Sequence, residues 1–327
     1  MHLTYRNVND AFRGITSAIH TGKILTNVLP SRAGEVLVVE EPMTITYREP
    51  TERVLLNPAR DANPFFHMFE GLWMLAGRND VEPLTRYNSQ IGKIASDDGE
   101  TFNGAYGYRW REVWLDQLEL IADHLHDYPL SRRAVLTMWS PASDLLRIET
   151  HKDVCCNTHV YFSIEDEMFL NMTVCNRSND LVWGCLGANV VHFSMLQEYM
   201  ASRLGIASGT YNQFTNNLHA YTDKWDPDGW VEEPSTFENE YDNLSPPLPL
   251  VKDWYVFDQE VKEFIDNDDW NRRWDEPFLN SVATPMCWAF HLHRRGEKLL
   301  ASRAIEEVAS NDWRRAGREW LARRRTG

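Results

Sequence analysis

The chain has 327 residues, 43% of them hydrophobic, and its 13 Trp, 12 Tyr and 14 Phe supply the apolar material for a sizeable core. No run approaches the roughly 20 apolar residues of a bilayer span, and Met1-His-Leu-Thr-Tyr-Arg6 lacks the apolar stretch of a secretory signal. The net charge of −15 argues against broad nucleic-acid binding while leaving room for a local basic pocket that takes a small anion. Five cysteines, two of them adjacent, fit a reducing cytoplasm better than a disulfide framework.

In chain order, Val8, Ala11, Phe12, Ile15, Ala18 and Ile19 fall on one stripe and predict an amphipathic helix over residues 7–21. Residues 29–34 read as a loop carrying Arg32, followed by strands at 36–39 and 43–47. Asn63-Pro64 opens a helix, with asparagine as cap and proline at the first position. That helix carries Phe65, Phe66, Phe69, Leu72, Trp73 and Leu75, so Glu70 lies within an apolar surface. A buried carboxylate is costly unless paired or used chemically, and the sequence leaves both open.

Residues 97–100 read as a turn. Residues 102–111 read as a Gly/aromatic loop, whose glycines allow a backbone to approach a flat ligand closely. Residues 114–125 are expected to be helical, and 134–139 form a strand entered from Ser131-Arg132-Arg133, either a solvated edge or a bidentate phosphate clamp. Next comes Asp153-Val-Cys-Cys-Asn-Thr-His-Val-Tyr-Phe162, two thiols at the mouth of a β-like run, with a second apolar run over 168–175. A cysteine attacks only as thiolate, so a catalytic one needs cationic neighbours, which Arg132, Arg133 and Arg177 could supply. The alternative is that both are small buried hydrophobes.

Asn189–Leu204 is the strongest helix in the pattern, preceded by a Gly-rich turn. Residues 209–214 read as a strand leading to His219-Ala-Tyr221. Residues 224–250, rich in Pro, Asp, Glu and Trp, read as a long irregular connection. From about residue 256 the chain is helical and ends in a basic amphipathic helix. Strands and helices alternate without a βαβ rhythm. An α+β fold follows, with residues 1–223 as a core and 224–327 as an extension of the same domain. Cys155, Cys156, Cys175 and Cys185 are the candidates for a metal centre, but no C-x-x-C pair exists.

Taken together, the ordered set Arg132-Arg133, Trp139, Cys156 with Phe162, Arg177-Ser178-Asn-Asp180, Asn189 and His219-Ala-Tyr221 resembles thymidylate synthase and the pyrimidine-nucleotide hydroxymethylases. Glu70 in Phe-Glu-Gly-Leu-Trp and Tyr106 in Gly-Ala-Tyr-Gly-Tyr match two further positions of that pattern. The resemblance implies a thymidylate synthase-like fold and a pyrimidine nucleoside monophosphate as substrate. Its one-carbon donor is implied to be 5,10-methylenetetrahydrofolate, with no metal. It also implies a homodimer, in which Arg132 and Arg133 reach the partner's site, and no membrane or nucleic-acid partner.

By the same resemblance, Cys156 is the nucleophile, because Phe162 then falls at the family spacing. Glu70 and Tyr106 join it in catalysis. Arg32, Arg132, Arg133, Arg177 and Ser178 hold the phosphate, and Arg177 lowers the thiol pKa. Asn189 reads the base, His219 and Tyr221 bond the sugar hydroxyl, and Asp180 binds the pterin. Four departures stand out: Asn157 replaces a usual histidine, the turn before Asn189 carries an extra residue, Gly92 lies where a folate-flanking tryptophan is expected, and the end Arg323-Arg-Arg-Thr-Gly327 is not a short apolar tail. The last two bear on keeping water out during hydride delivery, so 5-hydroxymethylation of dUMP is expected ahead of methylation to dTMP. Asn189 favours uridylate over cytidylate, since the family's cytosine enzymes tend to carry Asp there.

Overall fold

The computed structural model describes residues 1–96, 98–230 and 239–324. Among the described residues ten strands form two sheets. The larger contains β1 (His2–Tyr5), β4 (Met43–Tyr47), β9 (Ala207–Thr215), β7 (Phe169–Asn176), β6 (Asn157–Glu165) and β5 (Val135–Thr137), in that spatial order. Within it β1–β4 and β7–β9 are parallel and the other pairs antiparallel. The smaller sheet runs β2 (Thr26–Ser31), β3 (Gly34–Val39), β10 (Leu218–Tyr221), β8 (Asn179–Asp180). The long helices are α1 (Val8–His20), α2 (Pro64–Leu75), α5 (Gln117–Asp127), α6 (Asn189–Leu204), α8 (Trp254–Ile265), α9 (Thr284–Arg294) and α11 (Asn311–Arg323). Shorter ones are α3 (Glu82–Thr85), α4 (Tyr106–Arg111), α7 (Pro227–Trp230) and α10 (Lys298–Ala304). The fold is α+β, as the sequence pattern implies.

The two helices that build the site begin differently. At the head of α2, Asn63 Oδ1 accepts the Phe66 N–H at 3.1 Å and Pro64 takes the first helical position, so two orphan donors are dealt with before the apolar run begins. All of α2 except Glu70 is buried. Phe65 lies 5.3 Å from the rings of both Phe290 on α9 and Trp320 on α11. Full burial of each such side chain contributes about 2–3 kcal/mol, so the C-terminal helices clamp the helix that carries Glu70. α6 starts at Asn189 without a side-chain cap and ends on Gly205 at φ 68°. Its first residue, Asn189, lines the site.

Four expectations need correction. Residues 29–34 are not a loop: β2 continues to Ser31 and pairs with β3, with only Arg32 and Ala33 turning the hairpin. Pro30 disguises the strand, and an edge strand tolerates it. The supposed Gly/aromatic loop contains α4. There the glycine serves helix packing, not a ligand, because a Cβ on Gly107 would sit 1.9 Å from Met74 O of α2. The helix expected at 114 begins at Gln117, where Asp116 Oδ1 caps Leu118 and Glu119. The strand expected over 134–139 is only Val135–Thr137, because beyond it Met138 and Trp139 both donate to the single carbonyl of Thr158.

In the turn at 97–100, Asp98 accepts the Glu100 and Thr101 N–H groups, while Asp97 lies outside the described residues. So do residues 231–238 of the expected irregular connection and residues 325–327 of the basic end. The basic end is internally paired where it is described: Arg323 and Arg324 both bond Asp61, at 2.9 and 2.6 Å.

Candidate active site

The two adjacent cysteines have opposite surroundings. Cys155 is 1% exposed and its thiol points at Gly104 O, 3.6 Å away. Cys156, the last residue before β6, lines a cavity of about 430 Å³ with Glu70, Tyr106, Asn179, Asp180, Trp183, Asn189, Phe66 and Ile91. Its peptide N–H and that of Asn157 both donate to Tyr106 Oη, at 3.3 and 3.4 Å, which pins the cysteine turn onto α4.

Arg177, at the end of β7, donates to the carbonyls of Cys155 (2.7 Å) and Val154 (2.9 Å), and its Nη2 lies 3.7 Å from Cys156 Sγ. The guanidinium also sits over the Trp139 ring at 5.7 Å. The expected lowering of the thiol pKa by Arg177 is therefore present. It does not prevail, because burial pushes the Cys156 thiol up and Asp153 adds to the rise.

Glu70 reaches this cavity from α2 and also lines a smaller one of about 210 Å³ with Asp153, His192, Tyr106 and Asn189. Burial, and secondarily the charge of Asp153, push its carboxyl up to about 8. His192 Nε2 approaches Glu70 Oε2 to 3.3 Å, yet burial holds the imidazole down to about 3, so this is no ion pair near neutrality. Glu70 and His192 are therefore in contact without a charged pair between them.

Asn189 is held by a directional relay. Its Nδ2 donates to Asn179 Oδ1 (2.9 Å), Asn179 Nδ2 donates to Gln213 Oε1 (3.0 Å), and Gln213 Nε2 donates to Cys185 O (2.9 Å). A carbonyl only accepts, so the final link fixes the orientation of all three amides. Asn189 lines the cavity, and the relay leaves its Oδ1 and one Nδ2–H unused.

A third hollow, of about 320 Å³, contains Arg32, Ser178, Asn217, His219 and Tyr221. His219 Nδ1 lies 3.0 Å from Asn217 Oδ1. Residues 177–180 thus separate a thiol-bearing cavity from a polar hollow with an arginine at its rim.

The thymidylate synthase family model matches residues 59–236, which span this whole constellation except Arg32. The chain belongs to the thymidylate synthase family. It is similar to a deoxyuridylate hydroxymethyltransferase of Pseudomonas phage M6, 41% identical over 314 residues, covering 90% of this chain and 87% of that protein. A protein of the same name from Bacillus phage SP01 is 39% identical over 196 residues, 56% of this chain and 50% of that protein. A putative thymidylate synthase of Methanosarcina mazei is 28% identical over 229 residues, 68% of this chain and 89% of that protein. The chain is accordingly an enzyme of the one-carbon transferase class.

Of the twelve positions carried over from the thymidylate synthase pattern, Cys156, Glu70, Tyr106, Asn189 and Asp180 meet in the main cavity, and Arg177 touches the thiol. Arg32, Ser178, His219 and Tyr221 meet in the adjoining hollow. Arg132 and Arg133 do not join either group; both are exposed at the entry to β5. At the position of the absent tryptophan, Gly92 faces Thr85 and Val81, and the cavity wall is made by Ile91. Asn157 is fully buried, and its side-chain amide has no hydrogen-bond partner among the described residues.

Four residues of the site were missed: Asp153, Asn179, Trp183 and His192. Asp153 and Trp183 carried a local signal, a carboxylate three residues before Cys156 and an aromatic three residues after Asp180. Asn179 and His192 carried none, since their partners are distant in sequence. Among the described residues no group of three His, Cys, Asp or Glu could hold a metal ion, and no helix is long and apolar enough to cross a membrane.

Proposed function

We propose that the protein transfers a one-carbon unit from 5,10-methylenetetrahydrofolate to C5 of dUMP and releases 5-hydroxymethyl-dUMP. The observation that carries this reading is the fixed Asn189 amide beside Cys156 in a chain so similar to two phage deoxyuridylate hydroxymethyltransferases. Asn189 Oδ1 accepts from the N3–H of uracil, and its remaining Nδ2–H donates to O4. Cytosine offers a lone pair at N3 and would oppose Oδ1. Cys156 adds to C6, which makes C5 a carbon nucleophile, and Tyr106 holds the cysteine turn in register. Glu70 manages protons near the base. The phosphate lies toward Arg177, Arg32 and Ser178, and the sugar hydroxyl toward His219 and Tyr221.

The residues of the main cavity suit a flat pterin. Trp183 and Ile91 offer apolar faces, and Asp180 Oδ1 is spent on the Val182 and Trp183 N–H groups, which orients the carboxylate. The folate supplies the methylene carbon, and the chain's own residues bind and orient it. Trp183 carries the Arg60 guanidinium 4.7 Å above its ring and is 52% exposed, so it is an open aromatic surface. The aliphatic wall at Ile91 in place of an indole supports entry of water over hydride delivery.

The exposed Arg132 and Arg133 are best used in a partner's phosphate site, which makes the active form a homodimer in the cytoplasm. Residues after 223 act as an extension of the catalytic core, since α9 and α11 pack on α2.

The test is product analysis. Incubation of dUMP and methylenetetrahydrofolate should yield 5-hydroxymethyl-dUMP by mass spectrometry, with ¹⁸O from labelled water in the new hydroxyl and no absorbance rise from dihydrofolate. Clean dTMP with stoichiometric dihydrofolate would instead make the chain a thymidylate synthase. A second prediction concerns the base. Asn189→Asp removes the N–H donor to Asn179 and the fit to uracil, so kcat/KM for dUMP should fall relative to dCMP on the order of 10²-fold. An unchanged ratio in competition assays would remove Asn189 from base selection.

A further inference from the structure

A second carboxyl shares Glu70's cavity and has no part in the chemistry above. Asp153 lines the space of about 210 Å³ together with Glu70, Tyr106, Asn189 and His192. Its Oδ2 accepts the Gly104 N–H at 2.8 Å, while Oδ1 has no hydrogen-bond partner among the described residues. The seat is tight: a Cβ on Gly104 would fall 2.6 Å from Oδ1, so glycine at 104 is what admits the carboxylate. His192 is 5% exposed, lines the same cavity, and its Nε2 makes no hydrogen bond among the described residues. A recess with an anchored carboxylate therefore adjoins the main cavity, sharing Glu70, Tyr106 and Asn189 with it.

Resting on the hydroxymethylase reading, we infer that Asp153 is the general base that deprotonates the water which quenches the exocyclic methylene on C5. The step balances without a redox change. A lone pair of the water oxygen forms the new C–O bond, the π pair of the exocyclic double bond moves into the ring as the C4 enolate, and the water proton goes to Asp153. The enolate then re-forms the C5–C6 double bond as the C6–S bond breaks, and that electron pair leaves with Cys156 as thiolate. Asp153 afterwards returns its proton to solvent.

Two carboxyls in one cavity divide the work when their environments separate them. Glu70, pushed up to about 8, is largely neutral near pH 7 and serves as a donor, which leaves Asp153 as the charged partner. Burial raises Asp153 above the ordinary carboxylate value and so strengthens it as a base. His192, held neutral by burial, offers the same water a second polar contact.

The experiment separates the two halves of the reaction with Asp153→Asn, which keeps an acceptor for the Gly104 N–H but takes up no proton. Release of ³H from [5-³H]dUMP reports events up to the methylene stage and should persist, its rate altered only by loss of the Asp153 charge beside Glu70 and Cys156. Formation of 5-hydroxymethyl-dUMP should drop about 10²-fold or more, and 2-mercaptoethanol should capture the stalled methylene as a thioether detectable by mass spectrometry. Asp153→Ala should regain hydroxymethyl product when formate is added, which a purely structural role would not permit. Undiminished hydroxymethylation by Asp153→Asn overturns the assignment, as does loss of ³H release together with product. dTMP from the unaltered protein sinks the hydroxymethylase reading and this step with it; hydroxymethyl product from both proteins sinks this step alone.

Discussion

Cys156→Ser protein should fold, bind dUMP, and give no covalent complex with 5-fluoro-dUMP and methylenetetrahydrofolate, with turnover down roughly 10⁴-fold or more. Cys155→Ser should retain both the complex and most of the turnover. The contrast follows from which way each thiol faces. Cys155 is sealed beneath Gly104 O, where burial pushes its thiol far up and leaves no route to a ligand. Cys156 opens on the main cavity beside the Arg177 guanidinium. Burial also raises the Cys156 thiol, so its attack depends on Arg177, and the rate of complex formation should climb with pH through the alkaline range. Arg177→Lys removes the fork that bonds Cys155 O and Val154 O together, and should push that climb to higher pH. Denaturing gels and intact-protein mass spectrometry read the complex directly; a stable complex in Cys156→Ser protein would move the nucleophile elsewhere.

What the sequence disclosed and concealed follows physical lines. α6 is legible because a sixteen-residue periodic run has clear ends, a Gly-rich turn before it and Gly205 after it. β6 and β7 are legible because burial alternates throughout β7 and from Val160 onward in β6, and the turn between them is short. α4 is hidden because Gly107 within it and Gly104 just before it lower helix propensity, and only the fold shows their reasons, Met74 O against one and the Asp153 carboxylate against the other. The β2–β3 hairpin is hidden because Pro30 and exposed side chains make an edge strand look like a loop.

At the site, single residues were readable where an ordered family spacing names them, and the couplings between them were not. The Asn189–Asn179–Gln213 relay joins α6, β8 and β9, elements far apart in the chain. The charge of Asp153 acts on Glu70 across 83 residues of sequence, through a cavity that only the fold creates.

Glu70 should show a conflict between stability and activity. Its carboxyl is raised from 4.5 to about 8 in the folded protein by burial and by Asp153. Between these values the native state holds a proton that the unfolded chain has released, so stability must fall as pH rises through that window and level off above about 8. The full fall for a shift of this size is on the order of 3–5 kcal/mol. Glu70→Gln keeps the shape and carries no proton to lose, so its stability curve should lack this slope, and the variant should exceed the unaltered protein in denaturant midpoint at pH 8–9. Catalysis should move the other way, with kcat/KM down about 10²–10⁴-fold because the amide neither gives nor takes a proton near the base. In the unaltered enzyme activity should decline above about pH 8 as Glu70 ionises, opposite in sign to the rising limb set by Cys156. Urea titrations of the two proteins at several pH values, beside initial rates at the same pH values, measure both effects. Parallel stability curves would mean that Glu70 is charged in the fold. An active, more stable Glu70→Gln enzyme would mean that burying this carboxyl serves no step of the reaction.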